Sequence, residues 1–416
     1  MTANTTMLSD PAVFGAGVPH DEFARLRSRE PVSWVAEADL ERHGPRGSVV
    51  RRGTGYWAVT RHAAVLEASR DTETFSSGER GAFLNDPVSR ADLIRTRQLL
   101  VNMDAPQHAR TRRLVTAVFT PRAVGRLRDS VRAHAAAIVG RLKDDEEFDV
   151  VRDMAAELPL LVLADLLGMP RADRSLLFEW SNNLVGFDDP VYGGGDVDTF
   201  KRTFQEAFAY ASAAAEEKRR RPGEDLVSRL VSVEIDGRKL TELEFCNLWI
   251  LLVVAGNETT RHLISGGLHA LAEHPDQRDR LVADPQLLPR AVDELLRWVT
   301  PIMQFRRTAV RDTVLDGQPI ATGDKVVLYY ISANRDPEVF EAPDQLDLGR
   351  DPNPHLAFGH GAHFCLGSHL ARLEAAELLD LLRPDLGRLR LSAPPERLES
   401  NFMNGIRKMP ARLLPS

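Results

Sequence analysis

Cysteine is almost absent from this chain, with two residues in 416, Cys246 and Cys365. Two thiols cannot build the bridge framework of a small secreted domain, and they suit a reducing cytoplasm. Positive charge is also in deficit: 53 Lys and Arg stand against 60 Asp and Glu, for a net charge of −7. That balance argues against a nucleic-acid binder in bulk and leaves only local basic patches. No window approaches the roughly 18 uncharged apolar residues of a membrane span. The opening run MTANTTMLSDPAVFGAGVPHDEF lacks a basic leader and an apolar core of signal length. Internal repeats, low-complexity linkers, flavin motifs and iron–sulfur motifs are missing too. What remains, at 43% hydrophobic and 27% charged residues, predicts a cytoplasmic globular protein with a large core.

The chain reads as one helix-rich unit with a small β portion. Helices are expected near Glu22–Arg29, after His62, from Asp104-Ala105-Pro106 to about Arg141, and over Met154–Leu167. Two more are expected on either side of Gly193-Gly194-Gly195, a hinge candidate. Pro31–Val35, Tyr56–Thr60, Phe148–Val151 and Lys325–Ile331 read as strands, and Ile235-Asp236-Gly237-Arg238 as a tight turn. The stretch from Gly78 to Leu100, with Phe83, Leu84 and Leu93, has little periodicity and suits a mobile loop. Lys218–Arg221 reads as a solvated helix end. The longest helix opens with the capping box Thr241-Glu242-Leu243-Glu244 and runs to His274, before Pro275.

Three local patterns carry chemistry. Phe358–Gly367, FGHGAHFCLG, sets Cys365 among glycines directly before an apolar helix striped by Leu366, Leu370, Leu373, Leu378 and Leu379. A thiol there meets the positive end of the helix dipole, which lowers its pKa and favours an anionic metal ligand or nucleophile. Three readings stand: a buried structural cysteine, a zinc loop with His355, His360 and His363, or a haem-thiolate ligand. Zinc sites usually bring paired C-x2–4-C or H-x3–5-H ligands, and no second cysteine is near. In the longest helix, Ala255-Gly256-Asn257-Glu258-Thr259-Thr260 breaks an apolar run with a glycine and polar groups that need partners. The Thr259 hydroxyl can bond the Ala255 carbonyl and distort the helix there. Third, Glu294 and Arg297 stand at i, i+3, by themselves a surface pair worth about 0.2–0.5 kcal/mol. His108 and Arg112 likewise share one helix face, and Arg110, Arg113, Arg122, Arg126 and Arg128 form a basic cluster, either plain surface charge or a docking patch for an acidic partner.

The spacing F-x-x-G-x-x-x-C-x-G resembles the haem-binding signature of the cytochromes P450, with every fixed place filled. AGNETT resembles the oxygen-binding groove of that family's central helix, and Glu294-x-x-Arg297 its E-x-x-R element. The resemblance spans nearly all 416 residues. It implies a mainly α fold with a small β portion, one domain over residues 1–416 without a fused reductase, and haem b between the long helix and the cysteine loop. Cys365 is then the axial iron ligand, Phe358 packs near the sulfur, and Gly367, Ala255 and Gly256 border the haem. Glu258 and Thr259 become an acid–alcohol pair supplying protons for dioxygen cleavage; many members carry Asp where this chain has Glu258.

By the same resemblance His108, Arg112, Arg307 and His363 hold the haem propionates, Arg307 being chosen over adjacent Arg306 from the pattern R-x-A. Glu294 and Arg297 brace the fold behind the cysteine loop, completed by Asn334-Arg335-Asp336-Pro337, Phe340 and Pro343. Phe83, Leu84, Leu251, Val254, Ala255, Ile302, Met303, Phe402 and Met403 line the distal pocket, and their apolar character points to a lipophilic substrate of steroid, terpenoid, alkyl or fatty-chain type. The implied activity is a monooxygenase using O2, with electrons from an external ferredoxin and its reductase. It is expected to act as a monomer without membrane anchor or nucleic-acid partner. Cys246 is expected to be an inert buried thiol. A haem-thiolate peroxygenase, or a haem or zinc sensor, are the alternatives; the Glu258–Thr259 pair argues against the first and the lack of an effector segment against the second.

Overall fold

The protein is described by a computed structural model covering residues 7–44, 47–235 and 237–415. Asp236, in the expected tight turn, lies outside the described residues, as do the first six residues of the chain. The axis of the fold is the helix Glu242–Glu273. Its capping box is present: the Thr241 hydroxyl accepts from the Glu244 amide at 3.2 Å and the Glu244 carboxylate accepts from the Thr241 amide at 2.9 Å. At 1.5 Å per residue its 32 residues span roughly 48 Å. His274 closes it ahead of Pro275, whose ring disfavours a helical residue before it.

Buried side chains point from this helix in all directions, so it is sandwiched rather than amphipathic. Its first half packs Phe245, Trp249, Ile250 and Val253 against Trp180, Ala211 and Leu230. Those partners come from helices Arg174–Val185, Val197–Arg220 and Leu226–Ser232. Its second half packs Leu263, Ile264 and Leu268 against Leu295 of helix Leu288–Val299 and Leu378 and Leu379 of helix Ser368–Leu382. Among the described residues no helix is long and apolar enough to cross a membrane.

The largest sheet among the described residues has five strands in the order Val32–Val35, Tyr56–Val59, Lys325–Tyr329, Gln304–Ala309, Phe75–Ser76. Only the pairing of Tyr56–Val59 with Lys325–Tyr329 is parallel; the others are antiparallel. Val326 sits opposite Arg307, which fixes the face on which that arginine lies.

Three local expectations change. The helical run to Arg141 is broken into Gln107–Thr116, Pro121–Gly125 and Arg128–Val139. Pro121 lacks the amide a continuous helix needs, and Thr120 caps the new start. The stretch after Gly78 holds a helix, Arg90–Thr96, whose N-cap Ser89 accepts from the Asp92 amide. The triple glycine is a packed turn, not a hinge. Gly194 and Gly195 are left-handed, Gly195 donates to the Phe187 carbonyl at 2.7 Å, and its own carbonyl accepts from the His43 amide at 3.0 Å.

Candidate functional site

The cysteine loop is shaped by glycine at two positions that no other residue fills easily. Gly359 and Gly361 have φ of +67° and +71°, and a Cβ on Gly361 would lie 2.4 Å from the Ser69 carbonyl oxygen. The Cys365 amide donates to the Phe358 carbonyl at 2.9 Å, closing the loop. Helix Ser368–Leu382 starts three residues later, with Gly367 as its N-cap. The thiol does not behave as the helix-dipole argument predicts. Cys365 is partly buried, and burial pushes its thiol up; the Gly367 amide, Arg112 and Arg372 offset only part of that. The deprotonated sulfur therefore depends on a cation bound directly to it, which deprotonates a thiol outright.

The histidines of this loop point to different partners. His355 reaches Asp293 at 3.3 Å, His360 meets Arg70 Nε at 3.0 Å, and His363 stacks on His108 with ring centroids 4.2 Å apart. Among the described residues no group of three or more His, Cys, Asp or Glu is arranged to hold a metal ion. The zinc-loop alternative falls on this geometry.

His108, Arg112, Arg307 and His363 do come together. Burial, with Arg307, His108 and Arg112 nearby, pushes His363 down to about 2, and burial with Arg112 lowers His108 against the pull of Asp104. Both imidazoles are thus neutral, and His108 Nε2 is buried without a partner. Arg307 is buried, donates to the Arg306 carbonyl at 2.8 Å, and leaves Nε unsatisfied. Arg306 differs: it donates to Asp86 at 2.8 Å and to the Leu84 carbonyl at 3.3 Å. Asp104, the nearby acid, is already committed to the Ser76 hydroxyl at 2.5 Å and to the Ser77 and Gly78 amides. Two permanent cations and two neutral imidazoles without a carboxylate of their own fit a ligand that brings carboxylates, as a haem with two propionates does.

On the long helix, Ala255 and Gly256 are exposed while Val253 and Asn257 on either side are buried. Thr259 donates to the Ala255 carbonyl at 2.8 Å, as expected, yet the helix stays continuous through that turn. Glu258 is 1% exposed, enclosed by Arg261 one turn on, which bonds its carboxylate while donating to Asn182 at 2.8 Å. Asn257 adds a 3.3 Å contact. Burial alone would raise this carboxyl, but Arg261 and His262 outweigh it and hold Glu258 below the usual glutamate range.

Glu294 and Arg297, each 0% exposed, are no surface pair. Arg297 makes two bonds to Glu294, at 2.8 and 2.7 Å, and donates to the carbonyls of Asn334, Pro343 and Gln345. Glu294 also accepts from Arg350, Asn353 and the Asp347 amide. Asn334 in turn accepts from the Leu356 amide at 2.6 Å, which ties this node to the segment entering the cysteine loop. Phe358 lies under the Arg372 guanidinium at 4.6 Å.

The apolar wall is narrower than expected. Phe83 and Phe402 meet edge to face at 5.4 Å, and both contact Phe305, at 6.1 and 5.4 Å. Leu251, Val254 and Ile302 are partly exposed, and Ile302 forms a bridge with Met403. Leu84 and Met303, however, pack with Phe23, Tyr56 and Tyr329 in the core, and Met403 is 2% exposed. These three lie in the core rather than on the exposed side of the wall. Phe305 was missed from the sequence; strand alternation with Arg307, two residues on, is the signal that places it. Of the basic cluster, Arg113, Arg122, Arg126 and Arg128 are exposed, Arg128 with its guanidinium on Glu377, and Arg110 is half-buried.

Comparison with known proteins agrees with this geometry. Residues 191–383 match the family described as Cytochrome P450. The chain is 41% identical over 404 residues to the steroid C26-monooxygenase of Mycobacterium tuberculosis, covering 96% of this chain and 90% of that one. It is 41% identical over 393 residues to the methyl-branched lipid omega-hydroxylase of the same organism, covering 93% and 89%. A Mycobacterium marinum cytochrome P450 solved with pseudoionone superposes with a TM-score of 0.89 at 38% identity, over 99% of this chain and 100% of that one.

Proposed function

This chain belongs to the cytochrome P450 family, and we propose that it hydroxylates a steroid-like or methyl-branched aliphatic molecule using electrons from an external ferredoxin and ferredoxin reductase. Membership makes it a haem-thiolate monooxygenase of lipophilic substrates. The observation that carries the substrate class is the wall of Phe83, Phe305 and Phe402, three mutually contacting rings with no charged side chain among them. Such a surface rewards apolar area at about 25 cal/mol per Å2 and gives a carboxylate or ammonium no partner. The similar steroid and branched-lipid hydroxylases point the same way. The full reading is a cytoplasmic, monomeric, single-domain enzyme.

When bound, haem b supplies the thiolate-ligated iron at which dioxygen is split, one atom going to substrate and one to water. The protein's part is to hold, orient and protonate. Cys365 offers its sulfur from a loop held by the Phe358 carbonyl and by two left-handed glycines. Arg112 and Arg307 would receive the propionates, with His108 and His363 as hydrogen-bonding neighbours. Ala255 and Gly256 keep the long helix free of bulk beside the reacting centre. Thr259 can give its hydroxyl proton outward and be reprotonated, and Glu258 is the ionisable group behind it. The overall balance is substrate C–H, O2, two electrons and two protons going to C–OH and water.

The test is a Soret titration of the ferric protein with a sterol, a methyl-branched fatty acid, a monoterpenoid and an alkyl aromatic. A shift toward high spin with the sterol or the branched chain is the expected result. A shift with the alkyl aromatic alone, or with none of the four, removes the substrate proposal while leaving the family assignment intact.

A further inference from the structure

The Glu258 carboxylate has a second neighbour on its own helix. His262, one turn on, is 1% exposed, with Nε2 3.5 Å from Glu258 Oε2. Neither ring nitrogen has a hydrogen-bond partner. Leaving a buried polar atom unsatisfied is costly, so the arrangement calls for a reason.

The opposite wall is fitted to this ring. Gly405, in the C-terminal turn, is not in the left-handed region, so its backbone alone does not require glycine. A Cβ there would stand 2.5 Å from His262 Cε1 and 2.7 Å from Nε2. The turn thus reserves room for an imidazole. The charged groups that act on the ring are Glu258 and Arg261 from its own helix and Arg397 from the strand Glu396–Arg397. Tyr192 lies within electrostatic reach of the Glu258–Arg261 pair. Burial, Arg261 and Arg397 keep the imidazole neutral against the pull of Glu258. A neutral imidazole carries one N–H and one lone pair, so it can release a proton at one nitrogen and take one at the other.

We propose that His262 is a positioning and proton-exchange partner of Glu258, sharing the carboxylate with Arg261 and replenishing its proton while the enzyme consumes the two protons of its reaction. The proposal rests on the role given above to Glu258 and Thr259. In the step itself the proton on Nε2 passes across the 3.5 Å gap to Glu258 Oε2, while Nδ1 takes up a solvent proton delivered by a water molecule from bulk; the imidazole ends neutral as the other tautomer, the net proton comes from solvent, and no electrons move.

Two variants of the holoprotein test it. His262→Gln keeps a donor but cannot relay, and Gly405→Ala leaves every ionisable group in place while driving the ring from its slot. Product formed per NADH, peroxide released and the solvent isotope effect are measured across about two pH units on either side of neutrality. Both variants are expected to lose coupling about tenfold, with a pH profile displaced from wild type and a larger isotope effect. Apart from turnover, the ring nitrogen resonances of His262 in the diamagnetic ferrous carbon monoxide complex should move when Glu258 is changed to Gln. Wild-type coupling in His262→Gln, beside a clear loss in Thr259→Ala, overturns the proposal and spares the acid–alcohol reading. A loss that leaves pH profile and isotope effect unchanged overturns it in favour of plain packing. If Thr259→Ala itself stays coupled, the underlying reading fails and the proposal fails with it.

Discussion

Arg112 donates to the Phe364 carbonyl at 2.6 Å, joining a helix near the start of the chain to the residue just before Cys365. One guanidinium therefore anchors the cysteine loop and contributes positive field at the sulfur. The same group is one of the two permanent cations assigned to the propionates. In the proposed haem site, loop geometry and haem affinity would be linked through it.

Removal of Arg307 should therefore act on haem and removal of Arg306 on the fold. A charge-assisted hydrogen bond is worth about 1.5–3 kcal/mol. Arg307→Leu is accordingly expected to weaken haem retention about tenfold or more, with little change in the unfolding midpoint of the haem-free chain. Arg306→Leu breaks the bond to Asp86 and leaves Lys325 to hold that carboxylate at 3.0 Å. It should lower stability with haem content per folded molecule unchanged. Pyridine haemochrome content and denaturant unfolding separate the two; the reverse pattern would show the choice between the neighbours to be wrong.

Breaking the Glu294–Arg297 node should be far more damaging than the sequence spacing alone suggests. Removing one partner of a fully buried pair costs about 3–5 kcal/mol, a large part of the 5–15 kcal/mol that typically holds a domain together. Arg297→Ala is expected to yield aggregated or haem-free protein, and Glu294→Gln a folded but less stable one. Soluble yield and chemical unfolding check this; a wild-type midpoint in Arg297→Ala is the contrary outcome.

Thr259→Ala and Glu258→Gln should separate in stability while agreeing in chemistry. Both are expected to keep the haem spectrum and divert electrons into peroxide. Only Glu258→Gln also strips Arg261 of its counter-ion inside the protein, at a cost of about 2–5 kcal/mol. Product per NADH and thermal unfolding of the ferric protein read the two effects. Equal stability of the variants would mean that Arg261 finds another acid.

Glu374 makes stability fall as pH rises from the acid range toward 8. It lies 2% exposed on the helix after Cys365, one oxygen has no partner, and burial pushes its carboxyl up to about 8. Its folded value lies above the unfolded one, so its contribution is fully present below the unfolded pKa and is lost as pH rises toward 8. Each unit across that window costs about 1.4 kcal/mol at most. Glu374→Gln should flatten the decline of stability between pH 5 and 8, measured by unfolding as a function of pH; an unchanged slope would assign the decline to other groups.

How far the sequence could be read depended on the range of the interaction. The capping box at Thr241, the end of the long helix before Pro275 and the glycine-shaped cysteine loop are set by neighbours within a few residues, and they are found where local chemistry puts them. His108, Arg112, Arg307 and His363, named together by resemblance, lie near one another. What escaped was tertiary. That Glu258 faces Arg261 rather than solvent depends on Asn182 from another helix. The inward packing of Leu84 and Met303 depends on which side of a strand meets Phe23 and Tyr329. The thiol of Cys365 is governed by burial, which no local dipole argument contains.

Phe402 and Gly405 lie in one short segment, and the strand that follows it, Pro410–Leu413, pairs with Glu147–Asp149. The aromatic ring beside Phe83 and the turn that seats His262 therefore share one mechanical anchor. The loop carrying Cys365 is held separately, by the Phe358 carbonyl and by Arg112. Loosening the pairing with Glu147–Asp149 would shift ring and turn together and leave the cysteine loop where it is.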